Sequence, residues 1–355
     1  MLRQSRHGVE TSISGEMKDQ AIKGHTTFKR TIGVCGVLLL LLAVVFIIAS
    51  LLGSQRLPFM SSLCALTGRS NCGLSSEQEA ILFDLRLPRI LLAGAVGMSL
   101  AAAGAGYQAL LRNPLAEPYL LGVSNGAAVG TMTALVFLGA FEWSRPVLAF
   151  AGALLATLVV YRLARGRAGA TPERLILAGV IVTTFLSSAI VFITTLMEAT
   201  RIRSFTFWLL GDLSGTTGSL LTIGLVAAFV GVGILALNAR SLNLMMLGER
   251  DAFDLGVEVA HVRLTVFIAA SLLVGASVAS SGSVGYVGLV VPHLIRLSFG
   301  SDNRVVIVAS ALAGAAFVIV ADTIARTIIA PRELPVGAIT ALIGAPLFIY
   351  LLKKG

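Results

Sequence analysis

Three groupings in this 355-residue chain place reactive side chains close together. Arg86-Leu-Pro-Arg89 sets two guanidinium groups around a proline. Asp322 and Arg326 stand four apart, a spacing that pairs opposite charges on one helix face. Ser283 and His293 share a glycine-rich stretch, with His293 in Val-Pro-His-Leu-Ile-Arg. A serine nucleophile needs a positioned base, and the base needs a third group to orient it. No third member accompanies this pair, so His293 reads as a packing residue and no residue is assigned to catalysis. The three cysteines, Cys35, Cys64 and Cys72, follow no zinc or redox spacing, and no metal site is read. Cys64 and Cys72 are eight residues apart, a spacing open to a disulfide outside the cell or to two free thiols. No G-x-x-x-x-G-K-[ST] occurs, so the chain does not bind ATP through a P-loop.

The elements that must hold these residues are apolar. Hydrophobic residues make up 56% of the chain and charged ones 13%, against about 25% charge in soluble domains. So much apolar surface cannot be hidden in one aqueous core. The chain reads as an all-α polytopic membrane protein. Ten apolar runs are bounded by Gly, Pro or charge, near 31–52, 89–111, 118–138, 146–164, 173–197, 219–238, 262–280, 286–299, 305–328 and 337–352. From Arg89 to Arg112 a helix would run about 36 Å, enough for a bilayer core of about 30 Å. Residues 1–30 read as a polar cytoplasmic tail and 31–355 as one ten-helix domain. The glycines at 282, 285 and 288 imply a broken or bent helix pair, tolerated where protein covers the backbone.

The formal net charge is +9, and positive charge in membrane proteins collects in cytoplasmic loops. With the N-terminus inside, 18 of the 27 Lys and Arg fall on the inner side. Both termini are therefore expected in the cytoplasm, and nucleic acid is not an expected partner. Arg86 and Arg89 run against this bias. They also stand where a helix beginning at Arg89 would have its N-terminus, which disfavours cations, although Pro88 suits a first turn. They could meet lipid headgroups, a local carboxylate such as Asp84, or an acidic docking partner.

The longest inner segment, about 239–262, alternates Leu242, Met245, Met246, Ala252, Phe253 and Leu255 with Glu249, Arg250, Asp251 and Asp254. It predicts short amphipathic helices broken at Gly248 and Gly256. Such a loop either lies on the lipid interface or docks into a partner groove. The spans carry almost no deep ionisable residue, whereas ion-coupled carriers keep carboxylates or histidines on the ion path. If the chain moves a solute uphill, the energy comes from another subunit.

At Arg86-Leu-Pro-Arg89, Gln108, Arg112-Asn-Pro-Leu-Ala116, Leu121-Gly-Val-Ser-Asn-Gly-Ala127, Gly285-Tyr-Val-Gly-Leu-Val-Val-Pro-His293, Ala321-Asp-Thr-Ile-Ala-Arg326 and Glu333-Leu-Pro-Val-Gly337, the chain resembles the FecCD family. These are permease subunits of type II ABC importers for iron-siderophores, haem and vitamin B12. The resemblance runs from about Ile32 to Lys354 and implies their fold. It implies a dimer of two permease subunits, a homodimer or one with a close paralogue, two cytoplasmic ATPases that hold ATP and Mg, and a substrate-binding protein outside. This chain itself then needs no cofactor and is not an enzyme.

By the same resemblance, Arg86, Arg89 and Arg326 meet acidic residues of the binding protein. Leu247, Gly248, Glu249, Ala252, Leu255 and Gly256 belong to the loop that contacts the ATPase. Asn113, Pro114 and Leu115 belong to a cytoplasmic gate, with a second element near Thr171, and Gln108 is expected along the pathway. The sequence reads Thr-Pro-Glu at 171–173, where the cobalamin relative has small hydroxyl residues. The rival reading is a carrier or channel working alone. No carboxylate or thiolate cage suits a bare transition metal. The expected cargo is an iron chelate, ferric siderophore or haem, or a cobalamin, crossing a bacterial or archaeal cytoplasmic membrane.

Overall fold

The computed structural model describes residues 30–354 apart from 54, 56, 70–71, 139–142 and 167–168. Most of the expected N-terminal tail, with Arg56 and Arg167, lies outside the described residues. The helices are α1 (Arg30–Leu51), α2 (Phe59–Leu66), α3 (Ser76–Leu110), α4 (Val123–Leu138), α5 (Ser144–Ala164), α6 (Pro172–Thr195) and α7 (Ala199–Leu209). They continue with α8 (Gly218–Leu237), α9 (Ala239–Leu247), α10 (Glu249–Asp254), α11 (Val259–Ser281), α12 (Val287–Phe299), α13 (Asn303–Thr327) and α14 (Val336–Lys354). Among the described residues, seven helices are long and apolar enough to cross a bilayer, and α4, α12 and α14 are shorter apolar ones. Together they match the ten expected runs. A hairpin of two-residue strands, β1 (Arg165–Gly166) and β2 (Gly169–Ala170), joins α5 to α6 with Arg165 opposite Ala170.

α3 forms the axis. In its most apolar stretch 89% of the residues are buried, against 17% for α1 and α6, so the other spans are arranged around it. Its small residues explain this position. A Cβ on Gly97 would strike the Gly314 carbonyl of α13, and one on Gly104 would strike the Gly288 backbone of α12. Bare backbones approach closely there, which is how helices associate where lipid supplies no hydrophobic drive. Tyr107 adds a buried polar contact, its hydroxyl 2.5 Å from Ser271 Oγ on α11.

α3 begins at Ser76, earlier than the expected start at Arg89. Ser75 and Gln78 form a reciprocal capping box there, which satisfies two exposed amide groups. The helix then widens into a π turn over Ile81–Arg86 and runs on through Pro88. Proline lacks the amide proton that a regular helix needs, and a local π register accommodates such an interruption. Pro88 therefore marks a passage within the helix, where the sequence pattern predicts a beginning.

The expected break between α11 and α12 is present and its backbone is occupied. The Tyr119 hydroxyl donates to the Val284 carbonyl and accepts from its amide, both at 2.9 Å. Glu117 accepts from the Tyr286 amide at 3.1 Å. Tyr286 has φ 67°, a left-handed turn that costs a non-glycine residue energy and is held here by the partners from residues 117 and 119. His293 packs edge-to-face on Phe348, and the Ser283 hydroxyl accepts from Ser124. Cys64 and Cys72 are joined in a disulfide, and Cys35 is free.

Candidate functional site: two charge clusters and a surface loop

At one end of the bundle, Asp322 on α13 is enclosed by two arginines. Arg89 on α3 donates from Nε to Asp322 Oδ1 at 3.0 Å, and Arg326 Nε lies 2.9 Å from Asp322 Oδ2. Arg89 reaches on to Glu333, at 2.7 Å. The i, i+4 pairing of Asp322 and Arg326 follows the sequence expectation. Two arginines and two carboxylates thus balance in a site where Asp322 has 1% of its side chain exposed. Low polarity strengthens such contacts and makes each of them costly to break.

Arg86 stands apart from this cluster. Only 4% exposed, it donates to the carbonyls of Ser50, at 2.9 Å, and Gln55, at 2.9 Å, and more distantly to Leu51. Ser50 and Leu51 end α1, where unpaired carbonyls collect the negative pole of the helix dipole. A cation is favourable at that point. The conflict expected between Arg86 and a helix N-terminus is corrected: α3 has no terminus there, and Arg86 caps its neighbour instead. Arg86 and Arg326 are buried, and Arg89 retains 12% side-chain exposure beside the half-exposed Glu333.

The opposite end carries the loop from α9 to α11. α10 lies between Gly248 (φ 156°) and Gly256 (φ 84°), conformations that L side chains rarely adopt. Leu247, Phe253 and Leu255 are 70%, 71% and 61% exposed. Ala252 is fully buried. The Ala252 methyl packs inward, and the exposed side chains around it are Phe253 and the two leucines. Sequence reasoning noted Phe253 only as one apolar residue in an alternating run, and that alternation was the available signal for its exposure.

Glu249, the first residue of α10, bonds to Arg263 on α11 and lies 3.9 Å from Arg112. Arg112 (φ 48°) begins the turn that contains Asn113, Pro114 and Leu115. Asn113 Oδ1 accepts from the Leu115 amide at 2.9 Å, and Pro114 and Leu115 are exposed. Arg263 is buried, and its second nitrogen donates to the Ala170 carbonyl, next to Thr171 at the start of α6. The structure thus gathers the loop and both expected gate segments around one carboxylate. Sequence reasoning gave Arg263 no role, because its partners lie 14 and 93 positions away.

Gln108 is also placed differently from the expectation. It is 3% exposed, its amide donates to the Gly288 and Leu289 carbonyls, and its oxygen accepts from Arg296. These are ties between α3 and α12. Arg296 continues to Asn303, whose amide donates to Asn243 on α9. Asn243 donates in turn to Asp302 at 2.7 Å. Burial opposes ionisation of Asp302, but the Arg304 guanidinium and the Asn243 amide together hold its carboxyl below the usual range. Among the described residues no cluster of His, Cys, Asp and Glu is arranged for a metal ion.

A bundle of seven long and three short apolar helices, pinned by buried charge at both ends, is the architecture of a multi-pass membrane transport subunit. The chain belongs to the FecCD transport family, which it matches over residues 40–354. It is 40% identical over 300 residues to the cobalamin import system permease protein BtuC of Halobacterium salinarum, covering 84% of this chain and 80% of that protein. It is 38% identical over 328 residues to the hemin transport system permease protein HmuU of Yersinia pestis, covering 90% and 95%. A solved metal-chelate type ABC transporter in an inward-facing conformation superimposes with a TM-score of 0.79 at 31% identity, over 92% of this chain and all of that one.

Proposed function

We propose that this chain is the pathway-forming permease of an ABC importer that carries a large chelate, a ferric siderophore, haem or cobalamin, across a prokaryotic cytoplasmic membrane. The observation that carries this reading is the exposure of Leu247, Phe253 and Leu255 on and beside a glycine-flanked helix. A chain without its own P-loop presents there a surface suited to a partner that has one. The named relatives, permeases for cobalamin and for hemin, support the cargo class.

In this reading two copies pair around the pathway, and both termini and the 239–262 loop face the cytoplasm. Two ATPase subunits hold ATP and Mg and move the loop. A binding protein delivers cargo at the end that carries Arg89 and Glu333. The chain catalyses nothing, and its loop transmits force between the ATPases and the gates at Asn113–Leu115 and Thr171. Opening then alternates between the two faces of the membrane.

Co-expression with P-loop ATPase subunits and a binding protein, followed by reconstitution into liposomes, tests this. Uptake of a ferric hydroxamate, haem or cyanocobalamin is expected only with ATP and a stable complex. Flux of solute through the chain alone would instead establish a carrier or channel.

A further inference from the structure

We infer that Arg263 is the positioning residue that carries movement of α10 to the second gate segment, while Glu249 itself meets Arg112 beside the first. The inference rests on the permease reading above. α10 is six residues long and is flanked by glycines with φ 156° and 84°, so it can pivot as a unit. Two of its groups hold it to the bundle. Ala252 packs inward without directional bonds, and Glu249 supplies the charged tie.

The Glu249 carboxylate touches Arg263 closely and Arg112 at 3.9 Å. Arg112 adjoins Asn113, the start of the first gate turn. Arg263 holds the Ala170 carbonyl with its other terminal nitrogen, and Thr171 is the next residue. A single guanidinium therefore spans the moving helix and the hairpin that leads into the second gate. Arginine suits this because its planar fork binds two acceptors in fixed directions, which a lysine ammonium does not.

The burial of Arg263 gives the tie its force. A buried cation cannot be left without a partner at small cost. When α10 is drawn away, Arg263 must follow Glu249 and pull Ala170, or exchange to another carboxylate. Glu173, exposed in the first turn of α6, lies within electrostatic reach of both Arg263 and Arg112. It is the one carboxylate on the 171–173 segment and is the acceptor assigned to that exchange. Either course moves the 171–173 segment together with α10.

The test uses the full complex with its ATPase subunits in liposomes. Thr171→Cys, in a Cys35→Ser background, reports the second gate through its rate of maleimide labelling with and without ATP and vanadate. The intact complex is expected to change labelling rate on trapping. Arg263→Met is expected to leave ATPase association intact and to shrink that change about tenfold, within the range of known coupling energies. Arg263→Lys is expected to retain part of it. Glu249→Ala is expected to lose as much as Arg263→Met, and the double variant no more than either, because residues acting through one bond do not add. A full nucleotide response in Arg263→Met, or losses that multiply in the double variant, overturns the inference. If the intact complex itself fails to form or to respond, the permease reading falls, which is a distinguishable result.

Discussion

Arg89 on α3 grips Asp322 on α13 with two nitrogens, at 3.0 and 2.9 Å, about two helical turns from the point where Gly97 and Gly314 bring the two helices into backbone contact. The pairing shows what the arginines of this end do first: they neutralise a carboxylate that the packing has removed from water. Removing one member of a buried charge set leaves the others uncompensated, at a cost of about 3–5 kcal/mol. Asp322→Asn leaves Arg326 without its carboxylate and Arg89 with Glu333 alone. Its thermal unfolding midpoint in detergent should fall well below that of the unaltered protein, and an unchanged midpoint would show that the cluster contributes nothing to the fold.

A second expectation separates docking from packing at the same site. Arg89 bonds outward to Glu333, which is half exposed. If an acidic residue of a binding protein docks there, it must compete with Glu333. Glu333→Gln then frees one face of Arg89 and should tighten binding-protein association a few-fold at low salt. The gain should shrink as salt is added, because exposed charge pairs are screened. Weaker docking in this variant would place Glu333 itself in the interface and would remove the role given to Arg89.

The sequence made the spans legible because each is a long apolar run, and apart from the start of α3 the ends of the ten helices fall close to the expected positions. It misplaced the start of α3 because proline usually opens a helix, and nothing local announces a π turn that lets one through. The error mattered for Arg86, whose partners Ser50 and Leu51 end α1, 36 and 35 positions earlier. The pairing of Asp322 with Arg326 was legible because it is four residues long. The tie of Glu249 through Arg263 to Ala170 was not, since it depends on how three separate elements meet. The inward turn of Ala252 was not legible for the converse reason: a family motif marks which residues matter without showing which way each side chain turns.

The crossing of α3 and α12 yields a third expectation. Gly104 has no room for a Cβ, whereas Gly33 on α1 has no atom within 4 Å of one. Gly104→Val should push α12 off the axis and strain the ties that Gln108 makes to Gly288 and Leu289. Overpacking of this kind costs about 1–3 kcal/mol, at times more. Gly33→Val should leave the unfolding midpoint almost unchanged, and equal losses in the two variants would contradict the close approach at Gly104.

The fourth expectation concerns the outward face of the loop. An aromatic side chain that is 71% exposed at the tip of a short helix has no packing role within the subunit. If it fills a pocket on an ATPase, truncating it should cost about 2 kcal/mol of association, roughly a thirtyfold loss of affinity. Phe253→Ala should therefore weaken ATPase capture while the subunit's own unfolding midpoint stays fixed. Ala252→Glu is expected to behave differently although it lies one position away. Its carboxylate would have to enter the space beneath α10, so the helix itself should detach and become sensitive to protease before any ATPase is present. A charge at 252 thus disturbs coupling by dislodging the lever, and the loss at 253 acts on the contact alone. If Phe253→Ala lowers the subunit's stability as much as its affinity, the side chain belongs to the fold, and the partner surface must be sought at Leu247 and Leu255.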